Sequence, residues 1–169
     1  SRTAIRVERG AVGVTANKLT LVGGTDGLVT SAGTSGIVVN DLSTDGVGND
    51  AVRNLSPGMR ITGGQIRGGN TGMDLQAATT VTGTQIGLTS TGIRARATDP
   101  ITLDTISVDA VAVGVEAQPG SVVTLRNSTV HALEAVRGIV TLAGGDDLSL
   151  PPLNLLGAIG LPLILLAFV

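Results

Sequence analysis

Cysteine, tryptophan and tyrosine are missing from the 169 residues, and Phe168 is the sole aromatic side chain. A disulfide framework, a thiolate nucleophile and a Cys-ligated zinc or iron–sulfur centre are thereby excluded. His131 is the one histidine, so a poly-His metal site is excluded too. The dearth of aromatic rings removes the platforms on which unpaired bases stack, and with them single-stranded nucleic acid as a partner. Charge is sparse as well. Eleven basic against thirteen acidic residues leave a formal charge of −2, with no surplus of cations to hold a polyanion. The Gly63-Gly64 and Gly68-Gly69 pairs lack the Lys-Ser/Thr of a phosphate-binding loop, and Gly-x-Ser-x-Gly does not occur. The motifs therefore imply no cofactor and no serine nucleophile.

What the chain does have is 25 glycines and a 42% hydrophobic content carried by Val, Leu, Ile and Ala, enough for one domain with a core of aliphatics. It also has a repeat. A hydrophobic–Thr–hydrophobic-or-Gly triplet recurs at Leu19-Thr20-Leu21, Ile61-Thr62-Gly63, Val81-Thr82-Gly83, Ile101-Thr102-Leu103, Val123-Thr124-Leu125 and Val140-Thr141-Leu142, with Ile37-Val38-Val39 filling the gap. The steps between first members are 18, 24, 20, 20, 22 and 17 residues, too short for helical repeats of about 33–34. A second landmark precedes the triplet as Gly72-Met73-Asp74-Leu75, Gly92-Ile93-Arg94-Ala95 and Gly114-Val115-Glu116-Ala117. These are short alternating strands, and Gly, Asn, Asp and Pro between them mark turns.

A unit of about 20 residues with three short strands cannot bury its own apolar face, so it must stack on copies of itself. The expected fold is all-β, a parallel β-helix solenoid of six to seven rungs, about 30–35 Å long at the spacing of paired strands. An antiparallel sandwich also gives short strands between turns, but it has no reason to repeat Thr at corresponding places. In a stack, Thr20, Thr62, Thr82, Thr102, Thr124 and Thr141 are expected in one outward column. The same register puts Arg53, Asp74, Arg94, Glu116 and Arg137 in a second column of alternating sign, an exposed salt-bridge ladder that disfavours slips of register. Asp41, Gln65, Gln85, Thr105 and Asn127 form a weaker polar column before a turn.

On this rung pattern, over Leu19 to Leu142 and extending back towards Ile5, the chain resembles the right-handed parallel β-helix proteins of the pectate-lyase-like superfold. The resemblance implies a right-handed coil and raises the question of chemistry on polysaccharides. Lyases of that kind need clustered acidic calcium ligands beside a basic residue, and glycosidases need paired carboxylates. The candidates are Asp41, Asp45 and Asp50 within one long turn, Asp99, Asp104 and Asp109 spaced five apart, and Asp74 with Arg94 and Arg96. Each has a plainer account as a turn or ladder residue, and no metal site is expected. His131 reads as a solvent-exposed or turn histidine.

After Gly144-Gly145-Asp146-Asp147 the repeat stops. The expected division is a β-helix domain over 1–145, a linker over 146–152 and a hydrophobic tail over 153–169. In the tail only Asn154 is polar. As a helix it would be about 25 Å long, slightly short of a bilayer core of about 30 Å. It is apolar all round, with Leu155, Leu156, Ile159, Leu161, Leu163, Ile164, Leu165, Leu166 and Phe168 facing lipid, and so reads as a truncated transmembrane helix rather than an amphipathic cap. Residue 1 is Ser and residue 169 lies within the apolar run, as in a processed or excised piece. Ten arginines against one lysine point to a GC-rich bacterial genome.

The expected function is a non-catalytic, membrane-anchored scaffold or interaction module of a bacterial cell envelope, with the rod on the periplasmic or extracellular side. Its partners would be the membrane and other membrane or envelope proteins, with the rod as an accessory subunit of a membrane complex. Two alternatives are a polysaccharide-modifying or polysaccharide-binding protein of the same fold and a filament subunit that assembles through the rod ends.

Overall fold

The computed structural model describes residues 2–150, and among them every regular element is a strand. The strands wind through seven rungs. Rung 1 holds β1 (Thr3–Val7) and β2 (Thr15–Val22), rung 2 β3 (Asp26–Thr30) and β4 (Val38–Val47), and rung 3 β5 (Asp50–Asn54) and β6 (Met59–Gly68). Rung 4 holds β7 (Thr71–Leu75), β8 (Thr79–Thr82) and the start of β9 (Gln85–Ala95). Rung 5 takes the rest of β9, β10 (Ile101–Asp104) and the start of β11 (Ser107–Ala117). Rung 6 completes β11 and adds β12 (Val123–Arg126) and β13 (Thr129–His131). Rung 7 is β14 (Glu134–Arg137), β15 (Val140–Leu142) and β16 (Asp147–Ser149). Every pairing between strands is parallel and joins one rung to the next, so the fold is a parallel β-solenoid with three faces. β16 pairs with β13 and completes rung 7, so the solenoid runs through residues read above as linker.

The core is a set of aliphatic columns parallel to the rod axis. Val39, Ile61, Val81, Leu103 and Leu125 follow one another on face two, and Leu28, Val52, Met73, Ile93 and Val115 on face one. Face three contributes Ile66, Ile86, Val108 and Val130. All are buried. Each such side chain contributes about 1.5–3 kcal/mol when taken fully out of water.

Between faces two and three the chain turns through the left-handed region, at one residue in most rungs and at the pairs Gly63-Gly64 and Gly144-Gly145 in two. This corner carries Lys18, Asp41, Thr105 and Asn127 at φ of 50° to 58°, with glycine at 63 and 83 in the equivalent rungs. Asp41 and Asn127 are of the types that visit that conformation through local hydrogen bonds, as glycine does freely; Lys18 and Thr105 are not. Of the polar column expected before a turn, Asp41, Thr105 and Asn127 are these corner residues, whereas Gln65 and Gln85 pair with each other on face three.

The glycines that lead the face-one strands answer to close packing between rungs. A Cβ on Gly92 would lie 2.6 Å from the Gly114 carbonyl oxygen and would overlap a methyl of Val108. Gly114 stands in the same relation to Ala135 and Val130. In the interior of face one Thr30 and Asn54, register partners and both fully buried, are polar instead: Asn54 accepts from Thr30 Oγ1 at 2.6 Å and from the Ser56 amide at 2.8 Å. Its Nδ2 donates to Thr79 Oγ1 at 2.7 Å and to the Ser56 carbonyl at 3.0 Å, so the group ties together three rungs.

Candidate functional site

Face one carries the densest group of charges, and strand geometry explains how it arises. Inward positions of β3, β5, β7, β9, β11 and β14 are aliphatic apart from Thr30 and Asn54, and the residue between two of them points outwards in each rung. The register aligns Arg53 with Asp74, Asp74 with Arg94, Arg94 with Glu116 and Glu116 with Arg137. The ladder expected from sequence is therefore present as a column, but its ion pairs fall into two clusters.

In the first, Arg53 is surrounded by three carboxylates. Its Nε lies 2.9 Å and its Nη2 2.5 Å from Asp50 Oδ2; Nη2 also lies 3.5 Å from Asp26 Oδ1, and Nε 4.0 Å from Asp74 Oδ2. Asp26, Asp50 and Asp74 are all buried, which makes this more than an exposed ladder. Asn49 Nδ2 donates to Asp26 Oδ1 at 3.2 Å and Gln76 Nε2 to Asp74 Oδ2 at 2.7 Å. Arg96 Nε sits 3.0 Å from Asp74 Oδ1, near enough for a charge pair. It lacks the alignment of a hydrogen bond, so that oxygen has no donor among the described residues. The carboxylates, Asp50 first, raise the pKa of the Arg53 guanidinium against the opposing effect of burial.

The second cluster belongs to rungs 5 to 7. Arg94 Nε donates to Glu116 Oε2 at 2.7 Å, Arg137 Nη1 lies 3.6 Å from Glu116 Oε1, and Arg137 Nη2 donates to Glu134 Oε2 at 2.6 Å. The Arg94 hydrogen bond is the main cause of a lowered pKa at Glu116; burial opposes it, and the charges of Arg94 and Arg137 reinforce it. Glu134 in turn raises the pKa of Arg137. Asp74 and Arg94, though neighbours in register, make no ion pair: Asp74 meets Arg53 and Arg96, and Arg94 meets Glu116. The acid–base patch suggested by Asp74, Arg94 and Arg96 thus reduces to Asp74 with Arg96.

The threonines do not form one column. Thr20 lies on face three beside Ser43. Thr62 pairs with Thr82, and Thr82 with Asp104. Thr102, Thr124 and Thr141 form a separate column two residues away, headed by Thr80. The other acids are also dispersed. Asp41 and Asp45 lie within β4 and Asp50 opens β5, so they share no long turn; Asp104 ends β10, and Asp109 lies in β11. His131 ends β13 rather than a turn, with Nδ1 3.0 Å from Asp109 Oδ1 in the rung before.

Among the described residues no three His, Asp or Glu side chains are grouped to hold a metal ion, and no helix is long and apolar enough to cross a membrane. The segment 153–169, with Leu155, Leu156, Ile159, Leu161, Leu163, Ile164, Leu165, Leu166 and Phe168, lies outside the described residues. No family model, curated protein or solved structure matches the chain.

Proposed function

We propose that this protein is a non-catalytic scaffold or interaction module: a right-handed β-solenoid rod on the periplasmic or extracellular side of a bacterial envelope, held to the membrane by residues 153–169. The hand follows the general preference of parallel crossovers. The observation that carries the non-catalytic reading is the mutual engagement of the face-one charges. Arg53, Arg94, Arg96 and Arg137 each lie against a carboxylate of their own or a nearby rung. Such a face offers a partner a fixed relief of paired charge rather than a free acid beside a free base. Support for the anchor is the uncharged sequence that follows Leu150. The face would present the rod to other envelope proteins as a rigid surface.

Membrane partitioning of the full chain beside a version ending at Leu150 tests this reading. The full chain is expected to stay with membranes through a carbonate wash, and the shortened one to be soluble with a β-type circular dichroism spectrum. Release of the full chain by carbonate would remove the anchor, and hydrolysis or cleavage of an envelope polysaccharide by either version would remove the non-catalytic assignment.

A further inference from the structure

The two ends of the rod differ in how they finish the interior columns. At the first rung Ala16 is half-buried and Leu21 is 5% exposed. At the last rung Leu142 and Leu148, which terminate the columns above Leu125 and Val130, are 51% and 37% exposed. Ile139 and Leu150 beside them stand at 85% and 67%. An apolar notch of about 450 Å³ between the 118–122 loop and Gly138-Ile139, floored by Ala117 and edged by Pro119 and Val122, continues this surface around the corner. Exposed valines occur at the other end too, Val12 and Val22, but they stand apart from any apolar sequence leaving the fold.

We infer that the rung 7 end of the rod rests against the lipid surface, so that the solenoid stands on the bilayer by its last rung. This rests on the anchor proposed above and adds to it an orientation and a contact surface. Only Pro151 and Pro152 lie between Leu150 and Leu153, so the span is three residue steps, at most about 10 Å. The polar headgroup layer is itself roughly 5–8 Å deep on each side of the hydrocarbon. With the chain entering hydrocarbon at 153, Leu150 comes to headgroup depth, and in an upright rod Leu142, Leu148 and Ile139 of the same rung come there with it, where aliphatic side chains gain by leaving water. Charges at this end are of both signs, Glu134, Arg137, Asp146 and Asp147, so the contact is apolar and does not depend on anionic lipid.

Because the chain has no cysteine, one introduced thiol carries one label. The full chain, bearing Ile139→Cys, Leu142→Cys or Val22→Cys modified with an environment-sensitive fluorophore, is reconstituted into phosphatidylcholine vesicles containing a lipid-borne quencher. Circular dichroism confirms each variant's fold, and Ile139, already the most exposed, keeps the test open if position 142 proves disruptive. Labels at 139 and 142 are expected to be quenched about twofold or more, and the label at 22, near the far end of a rod about 30 Å long, to be unaffected. Quenching at all three positions would mean that the rod lies on its side. Quenching at none, while the chain still co-sediments with vesicles, would mean that it is held off the bilayer. A blue shift at 139 without quenching would mean that residues 151–169 cover the rung themselves, or that a second copy does if the shift depends on concentration. Each of these results overturns the contact. Failure to co-sediment would instead overturn the anchor on which it rests.

Discussion

Arg53 lies among three buried carboxylates, and its loss would leave Asp26, Asp50 and Asp74 facing one another with only Arg96 nearby. Removing one member of a buried pair is costly because the remaining charge stays desolvated. Arg53→Met, which keeps most of the aliphatic stem, is therefore expected to lower stability in urea by about 3 kcal/mol, at the low end because the guanidinium is 30% exposed. The same change at the more exposed Arg137 should shift the midpoint far less, and equal shifts would show that burial of the acids is not what matters. Glu116 gives a pH dependence. Its folded-state pKa lies below the ordinary 4.5, so the stabilisation is fully present above that value and is lost as pH falls through the folded one. The difference in urea midpoint between the natural protein and Glu116→Gln should shrink as the pH is taken below 4.5; a constant difference would assign the effect to packing.

At the scale of the strand, the glycines that open the face-one segments hold neighbouring rungs at contact distance. Gly92→Ala would force its methyl into the Gly114 carbonyl and Val108, and should cost at least the 1–3 kcal/mol or so of an overpacked core. Thermal unfolding that leaves Gly92→Ala as stable as the natural chain would show that the rungs can separate freely there. The same glycines explain what was legible in the sequence. Gly72, Gly92 and Gly114 mark a fixed place in the rung, so counting from them aligned Asp74, Arg94 and Glu116 as the structure does. The Thr triplets have no such marker. Val81 and Ile101 hold the same place in their triplets, but Val81 pairs with Leu103 and Ile101 with Thr79. A slip of two residues leaves every side chain on its own side of the sheet, so alternation cannot detect it. The cluster of Asp26 and Asp50 around Arg53 is not legible for a different reason: Asp50 reads as a turn acid and Asp26 as nothing in particular, since each lies two residues before an inward residue, where spacing gives no hint that Arg53 reaches back to it. The period of about 20 residues implies the stacked coil, whereas the buried pair of Thr30 and Asn54 occurs in two rungs alone and leaves no repeat to read.

Over the whole molecule, each rung touches only its neighbours, and stability is close to a sum of rung and interface contributions. Amide exchange is expected to be slowest in rungs 3 to 5, where the columns through Ile61, Val81, Met73 and Ile93 are fully buried, and faster towards rungs 1 and 7. Uniform protection along the rod would instead identify a single cooperative unit. The charge column adds a constraint of parity. Arg6 stands on rung 1 in the line that passes through Val29 to Arg53 and on to Arg137. A second rod laid in register on rung 7 would bring its Arg6 against Arg137, whereas each step from Arg53 onwards joins unlike signs. A sequence of signs that opens and closes on the same letter can be read once but not concatenated, and like charges set opposite one another oppose such pairing. The column that keeps the rungs in phase within one rod thus also works, with the small effect of one exposed like-charge pair, against one rod serving as the template for the next.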